Sequence, residues 1–187
     1  MQNRLPKPPK IDEASINTLL IRSFQDSAFL KEIKRITTDN RPEMNGIKLS
    51  FKIPKSWKEM PSQTCSYYFY SETLNVELQV SVSPSSNDNN ITEDVIKRLK
   101  NIYPDLTNER RLQVAGKNAY EMIFVLKKQK GDAKLYINSL SVIFFHKTHL
   151  IIFNFSNTKI NVEENIENIN DLRILYRNLI NTIKVLN

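Results

Sequence analysis

The chain has 187 residues, 40% of them hydrophobic, and 27 basic against 20 acidic side chains give it a formal charge of +7. That length accommodates one domain whose core needs no staples, and a single cysteine, Cys65, excludes an internal disulfide. No stretch reaches the ~18 apolar residues of a membrane-spanning helix, and the three glycines, Gly46, Gly116 and Gly131, stand too far apart to cradle a phosphate or dinucleotide.

Residues 1–10 place Pro6, Pro8 and Pro9 among basic side chains, which predicts a flexible basic tail. This opening lacks the apolar run of a signal peptide. Periplasm and cytoplasm both remain open. Residues 11–45 read as a helical arm. Ile16, Leu19, Leu20 and Phe24 share one helical face, and Phe29, Leu30, Ile33 and Ile36 share another. DNRPEMNG is turn chemistry and marks the boundary with a main domain over 46–187.

That domain begins with an alternating strand in which Ile47, Leu49, Phe51 and Ile53 point inward. Pro54 ends it, and Trp57 is expected to close the core. SYYFYSE is an aromatic-rich second strand. LNVELQVSVS is a third, with Leu74, Val76, Leu78, Val80 and Val82 on one face and Glu77, Gln79 and Ser81 on the other. Thr92 is placed to cap a helix whose first turn carries Glu93 and Asp94. Ile91 and Ile96 suit a hydrophobic staple, and Val95, Leu99 and Ile102 a buried stripe. After a turn at Gly116 a strand runs from Asn118, apolar on both faces.

Tyr136 to Ser156 is the most apolar stretch, and it breaks at HKTH into two strand-like arms. A symmetric turn around Lys147 and Thr148 sets Phe144 against Ile151, Val142 against Phe153 and Leu140 against Phe155 on one face. Phe145 against Leu150 and Ile143 against Ile152 occupy the other. A hairpin apolar on both faces must be covered on both. At its far end Ser139 and Ser141 stand with Asn154 and Ser156, and these four are the candidate binding residues: the polar wall of a groove. The chain closes with Leu172, Leu175, Tyr176, Leu179 and Ile183 at helical spacing, which predicts a long C-terminal helix.

Catalytic chemistry has little to work with. A cysteine nucleophile needs a base beside it, and His146 and His149, the only histidines, flank the hairpin turn. Two imidazoles fall short of a zinc site. No catalytic residue, metal or cofactor is expected. Acidic residues interrupt the basic ones, so no nucleic-acid surface is expected either.

FKIPKSW, the polar loop and helix ending ITEDVIKRLKNIYP, and VAGKNAY opening the next strand occur in an order that resembles the PsbP-like fold superfamily. That superfamily includes a photosystem II extrinsic protein, DcrB lipoproteins, a Ran-binding import factor and type VI secretion immunity proteins. The resemblance spans roughly 46–185 and implies a binding protein rather than an enzyme. With the elements above, it sets the expected architecture. This is an α+β, α/β/α sandwich: a mainly antiparallel sheet of about six strands, a long C-terminal helix and an N-terminal helical arm. The expected function is non-enzymatic protein binding, such as a bacterial secretion-linked immunity or envelope accessory role. A basic chain favours an acidic partner. The alternative is a carrier or sensor of a small apolar ligand held between helix and sheet, in a cavity lined by Phe124, Phe144 and Phe153.

Overall fold

A computed structural model describes residues 33–38, 41–72, 76–85, 90–103, 106–130, 133–160, 173 and 175–186; at 107, 126–130, 133–136 and 157–160 it describes the backbone alone. Ten strands occur in this order: β1 Ile33–Thr37, β2 Lys48–Pro54, β3 Lys58–Glu59, β4 Tyr67–Ser71, β5 Val76–Pro84, β6 Leu106–Val114, β7 Lys117–Lys130, β8 Ala133–His146, β9 His149–Ile160 and β10 Lys184–Leu186. Helix α1, Glu93–Ile102, lies between β5 and β6. A second helical segment, α2, covers 175–180. The strands form two antiparallel sheets, one of three strands ordered β1-β2-β10 and one of seven ordered β3-β4-β5-β9-β8-β7-β6.

The hairpin occupies the middle of the larger sheet with the expected register. Phe144 pairs with Ile151, Val142 with Phe153, Leu140 with Phe155, Ile143 with Ile152 and Phe145 with Leu150. Lys147 takes a positive φ of 53° at the two-residue turn. Both faces are covered, each by its own core. On the inner face Val142, Phe144, Phe153 and Phe155 pack with Leu49, Phe51 and Ile53 of the small sheet and with Tyr176, Leu179 and Ile183 of the C-terminal segment. Phe51 meets Phe153 edge-on at 5.2 Å, and Trp57 stacks on Phe155 at 5.5 Å, closing the core as expected. On the outer face Tyr120, Met122, Phe124, Ile143 and Phe145 pack beneath Ile91, Val95 and Ile96 of α1 and its lead-in. The Thr92 hydroxyl accepts from the Val95 amide, so the helix starts where its cap predicts. Val95 is buried with Leu99 packed beside it, and Ile91 and Ile96 are both buried as the staple requires, whereas Ile102 departs from the expected stripe and is 65% exposed.

The α/β/α sandwich of about six strands is overturned. The protein is mostly β, with ten strands and two short helices among the described residues. Four strands escaped a reading by pattern. Ile33 and Ile36, read as part of a helical arm, lie in β1 and pair with Pro54 and Phe51 of β2. The rest of that arm, residues 1–32, lies outside the described residues. β3 has two residues, too few for a period, and β6 is a polar edge strand whose Asn108 to Arg111 show no alternation. The long C-terminal helix is also absent. The helical turns end at 180, where the Thr182 hydroxyl donates to the Leu179 carbonyl at 2.7 Å and accepts from the Lys52 amide at 2.8 Å. The next residues leave the helix and pair with the open edge of β2, Lys184 with Ser50 and Val185 with Leu49. Unpaired strand edges bind strands, and a β-branched residue suits the pleat better than the helix. The Leu172 expected in that helix lies outside the described residues.

Candidate binding face

Among the described residues, helix α1 packs on one part of the outer face. Its cluster draws on β7, β8 and β9 and includes no residue of β4 or β5. The face continues past the helix as two polar rows fixed by strand register. Tyr68, Gln79, Asn154 and Ser141 make one, paired successively across β4, β5, β9 and β8. Tyr70, Glu77, Ser156 and Ser139 make the other. Side chains alternate along every strand, so each row stands on the face opposite Phe69, Leu78, Phe155 and Leu140.

The four residues singled out in the sequence therefore meet. Asn154 Oδ1 accepts from Ser139 Oγ at 2.8 Å and from Ser141 Oγ at 2.7 Å. Both serines and Ser156 are buried, and Asn154 is half-buried. Two hydroxyls on one oxygen hold the amide plane fixed and leave its NH₂ group to donate elsewhere.

Pattern alone did not join β4 and β5 to this site. Glu77, Gln79 and Ser81 were legible as the polar side of β5, but only pairing with β9 sets Glu77 against Ser156 and Gln79 against Asn154. Burial, followed by the Glu77 carboxylate, pushes the Tyr68 hydroxyl up to about 12. Tyr68 also lines a groove of about 380 Å³ with Arg41, Glu59, Met60, Ser62 and Cys65. Met60 is 43% exposed there, one of two large apolar side chains that open to solvent among the described residues.

The other candidates do not converge on chemistry. Cys65 is half-buried; its Sγ lies 3.1 Å from Ser62 Oγ and 3.2 Å from the Tyr67 carbonyl oxygen, neither of them a base. His146 faces His149 across the turn. Burial, then the charges of Lys117 and Lys147, lowers the His146 pKa, which disfavours a charged imidazole. The cavity suggested for an apolar ligand does not form. Phe144 and Phe153 stack at 6.4 Å in the inner core, whereas Phe124 lies on the opposite face, stacked on Tyr103 at 4.9 Å.

No protein-family model matches the chain, and no curated protein does. Solved structures do. LpqN, a Mycobacterium tuberculosis protein described as involved in cell envelope biogenesis, superposes with a TM-score of 0.50 at 9% identity, over 96% of this chain and 100% of its own. The fold is PsbP-like. Two further structures match over less of this chain. The Ran-binding protein Mog1p of Saccharomyces cerevisiae gives a TM-score of 0.47 at 7% identity, over 82% of this chain and 96% of its own. A Bacteroides thetaiotaomicron protein gives 0.48 at 13% identity over 74% of this chain, and the match spans 45% of that protein. At such identities the likeness concerns the fold alone.

Proposed function

We propose that this protein is a non-enzymatic protein-binding module and that it docks its partner on the polar half of the outer sheet face. The observation that carries this reading is the partial cover among the described residues. Helix α1 packs over the β7–β8 side, while the rows from Tyr68 to Ser141 and from Tyr70 to Ser139 lie beyond its cluster. A sheet face bearing tyrosines, a fixed amide and a carboxylate supplies the rigid aromatic and polar contacts that protein interfaces favour. The groove with exposed Met60 continues this surface past the sheet edge and adds an apolar anchor. Ser139, Ser141, Asn154 and Ser156 act as the ordered floor of the site, and Tyr68, Tyr70, Glu77 and Gln79 as its contacting wall.

A secretion-linked immunity role or an envelope accessory role is the kind of duty the PsbP-like resemblance implies for such a module. The net charge of +7 steers it toward a partner of acidic overall charge. Among the described residues, Cys65 has Ser62 and the Tyr67 carbonyl beside it and no base, which favours binding over turnover.

The test is a photo-crosslinking scan in the source cell. Benzoylphenylalanine at Gln79 is expected to give one dominant adduct with another protein, whereas at Lys97, on the solvent side of α1, it gives none. Adducts from Lys97 alone, or from neither position, overturn the assignment of this face.

A further inference from the structure

Strand β6 ends the larger sheet, and among the described residues no strand lies beyond it. Its hydrogen-bonding direction follows from the turn behind it. Ala115 and Gly116 both take positive φ and form a two-residue hairpin loop, so the flanking pair, Val114 and Lys117, is a hydrogen-bonded one. Counting back by twos, Leu112 and Arg110 also bond to β7, opposite Ala119 and Glu121. Glu109, Arg111 and Gln113 therefore turn their backbone N–H and C=O groups to the open edge, and all three residues are exposed. The ladder to β7 is regular from Asn108 to Val114; its irregularity falls between Leu106 and Asn108. Charges alternate along this edge. Lys100 Nζ of α1 donates to Glu109 Oε1 at 2.6 Å, the Tyr120 hydroxyl donates to the same carboxylate, and Arg111 pairs with Glu93. The bonds from Lys100 and then Tyr120 lower the Glu109 pKa, so the carboxylate stays charged.

We propose that β6 pairs with β6 of a second copy of this chain, antiparallel about a two-fold axis through Arg110. An open edge is a template for another strand, and what selects the occupant here is the order of charge. Antiparallel pairing at this edge must set outward-facing residues against outward-facing residues. Registers that place Glu109 against Glu109, or Arg111 against Arg111, oppose like charges directly. The register between them places Glu109 of each copy against Arg111 of the other, and symmetry makes that favourable pair twice. Each pair also exchanges both of its backbone hydrogen bonds. Asn108 then faces Leu112, so the contact falls on the regular part of the strand. The Arg110 side chains meet at the axis, and each is already held by its own Glu121 through two hydrogen bonds. On the outer face Glu93 and Arg111 of one copy continue into Glu109 and Lys100 of the other, alternating in sign. β6 lies at the margin opposite β3, β4 and β5. The pairing therefore leaves the polar docking face uncovered and does not depend on it.

Charge-reversed variants of the full-length chain test the register. Glu109→Arg opposes cation to cation in the self-pair, and Arg111→Glu opposes anion to anion. By sedimentation equilibrium each should self-associate ~10-fold or more weakly than the unaltered chain, with folding checked by circular dichroism. Mixed in equal amounts, the two variants oppose cation to anion at both pairs, and the dimer should return. Hydrogen exchange on the unaltered chain needs no variant. The Glu109 and Arg111 amides should be protected at high protein concentration and exchange freely on dilution, while those of Arg110 and Leu112, bonded to β7, stay protected throughout. A chain that is monomeric at every concentration overturns the proposal. So do variants that dimerise as well as the unaltered chain, a mixture no stronger than either variant alone, or Glu109 and Arg111 amides whose exchange ignores concentration.

Discussion

Arg110 reaches from edge strand β6 to Glu121 on β7 and holds its carboxylate with two hydrogen bonds, Nε to Oε1 at 2.6 Å and Nη2 to Oε2 at 3.0 Å. Glu121 is 2% exposed and lies on the inner face, paired with Val142 in the apolar layer. The Arg110 guanidinium at the sheet margin is the cation that pairs this buried carboxylate.

Arg110→Ala leaves that carboxylate buried without a cation and should lower stability by ~3 kcal/mol, toward the low end for breaking a buried pair because Arg110 is partly solvated. For a chain of this size the melting temperature should fall by roughly 6–12 °C. Replacing both partners, Arg110→Met with Glu121→Leu, should restore most of it. Calorimetry of the three variants decides the matter: an unchanged melting temperature in Arg110→Ala would mean that water reaches Glu121.

Tyr176 packs its ring against Phe155 at 6.2 Å, and its buried hydroxyl has no hydrogen-bond partner among the described residues. An unsatisfied buried hydroxyl costs stability, so removing it costs nothing in pairing. Tyr176→Phe should leave the urea midpoint unchanged or raise it, by up to ~1 kcal/mol in stability. A marked loss would show that the hydroxyl has a partner in solution.

Val142 is fully buried between Phe153 on one side and Glu121 on the other. Val142→Asp places a second carboxylate beside the first in a dry layer. The cost should exceed ~4 kcal/mol, a large part of a domain's whole margin. Circular dichroism should show a chain largely unfolded or melting far lower. A variant that melts normally would mean the hairpin slips register.

Alkaline pH should weaken the fold. The Tyr68 hydroxyl is raised from 10.0 to about 12, chiefly by burial, and burial raises Tyr120 and Tyr176 as well. A raised pKa means the folded state keeps protons that the unfolded chain releases. This contribution is complete below pH 10 and falls away as the pH climbs toward 12. Urea midpoints measured from pH 8 to 11.5 should drop above 10, and Tyr68→Phe should make that drop shallower. Absorbance at 295 nm should show these tyrosines ionising only as the protein unfolds. A midpoint independent of pH in this range would contradict the assignment.

The strongest local patterns carried their own answer. Two apolar arms around Lys147 and Thr148 fixed a hairpin, its facing pairs and the need for two covers, because a two-residue turn sets the register of the strands it joins. Thr92 fixed the start of α1 because its hydroxyl satisfies an amide that would otherwise have none. The alternation of β5 marked Glu77 and Gln79 as a polar side, and the clustering of Ser139, Ser141 and Asn154 followed from counting out from the turn. Tertiary structure decided the rest. Helical spacing at Ile33 and Ile36, and again from Leu175 to Ile183, was real in the sequence; yet β2 lies between them with two open edges, and the hydrogen bonds those edges demand drew both Ile33–Thr37 and Lys184–Leu186 into strands. No local signal states that β5 pairs with β9, a choice between segments some seventy residues apart. That one pairing brings Glu77 and Gln79 to Ser156 and Asn154 and turns two separate polar strand faces into a single surface.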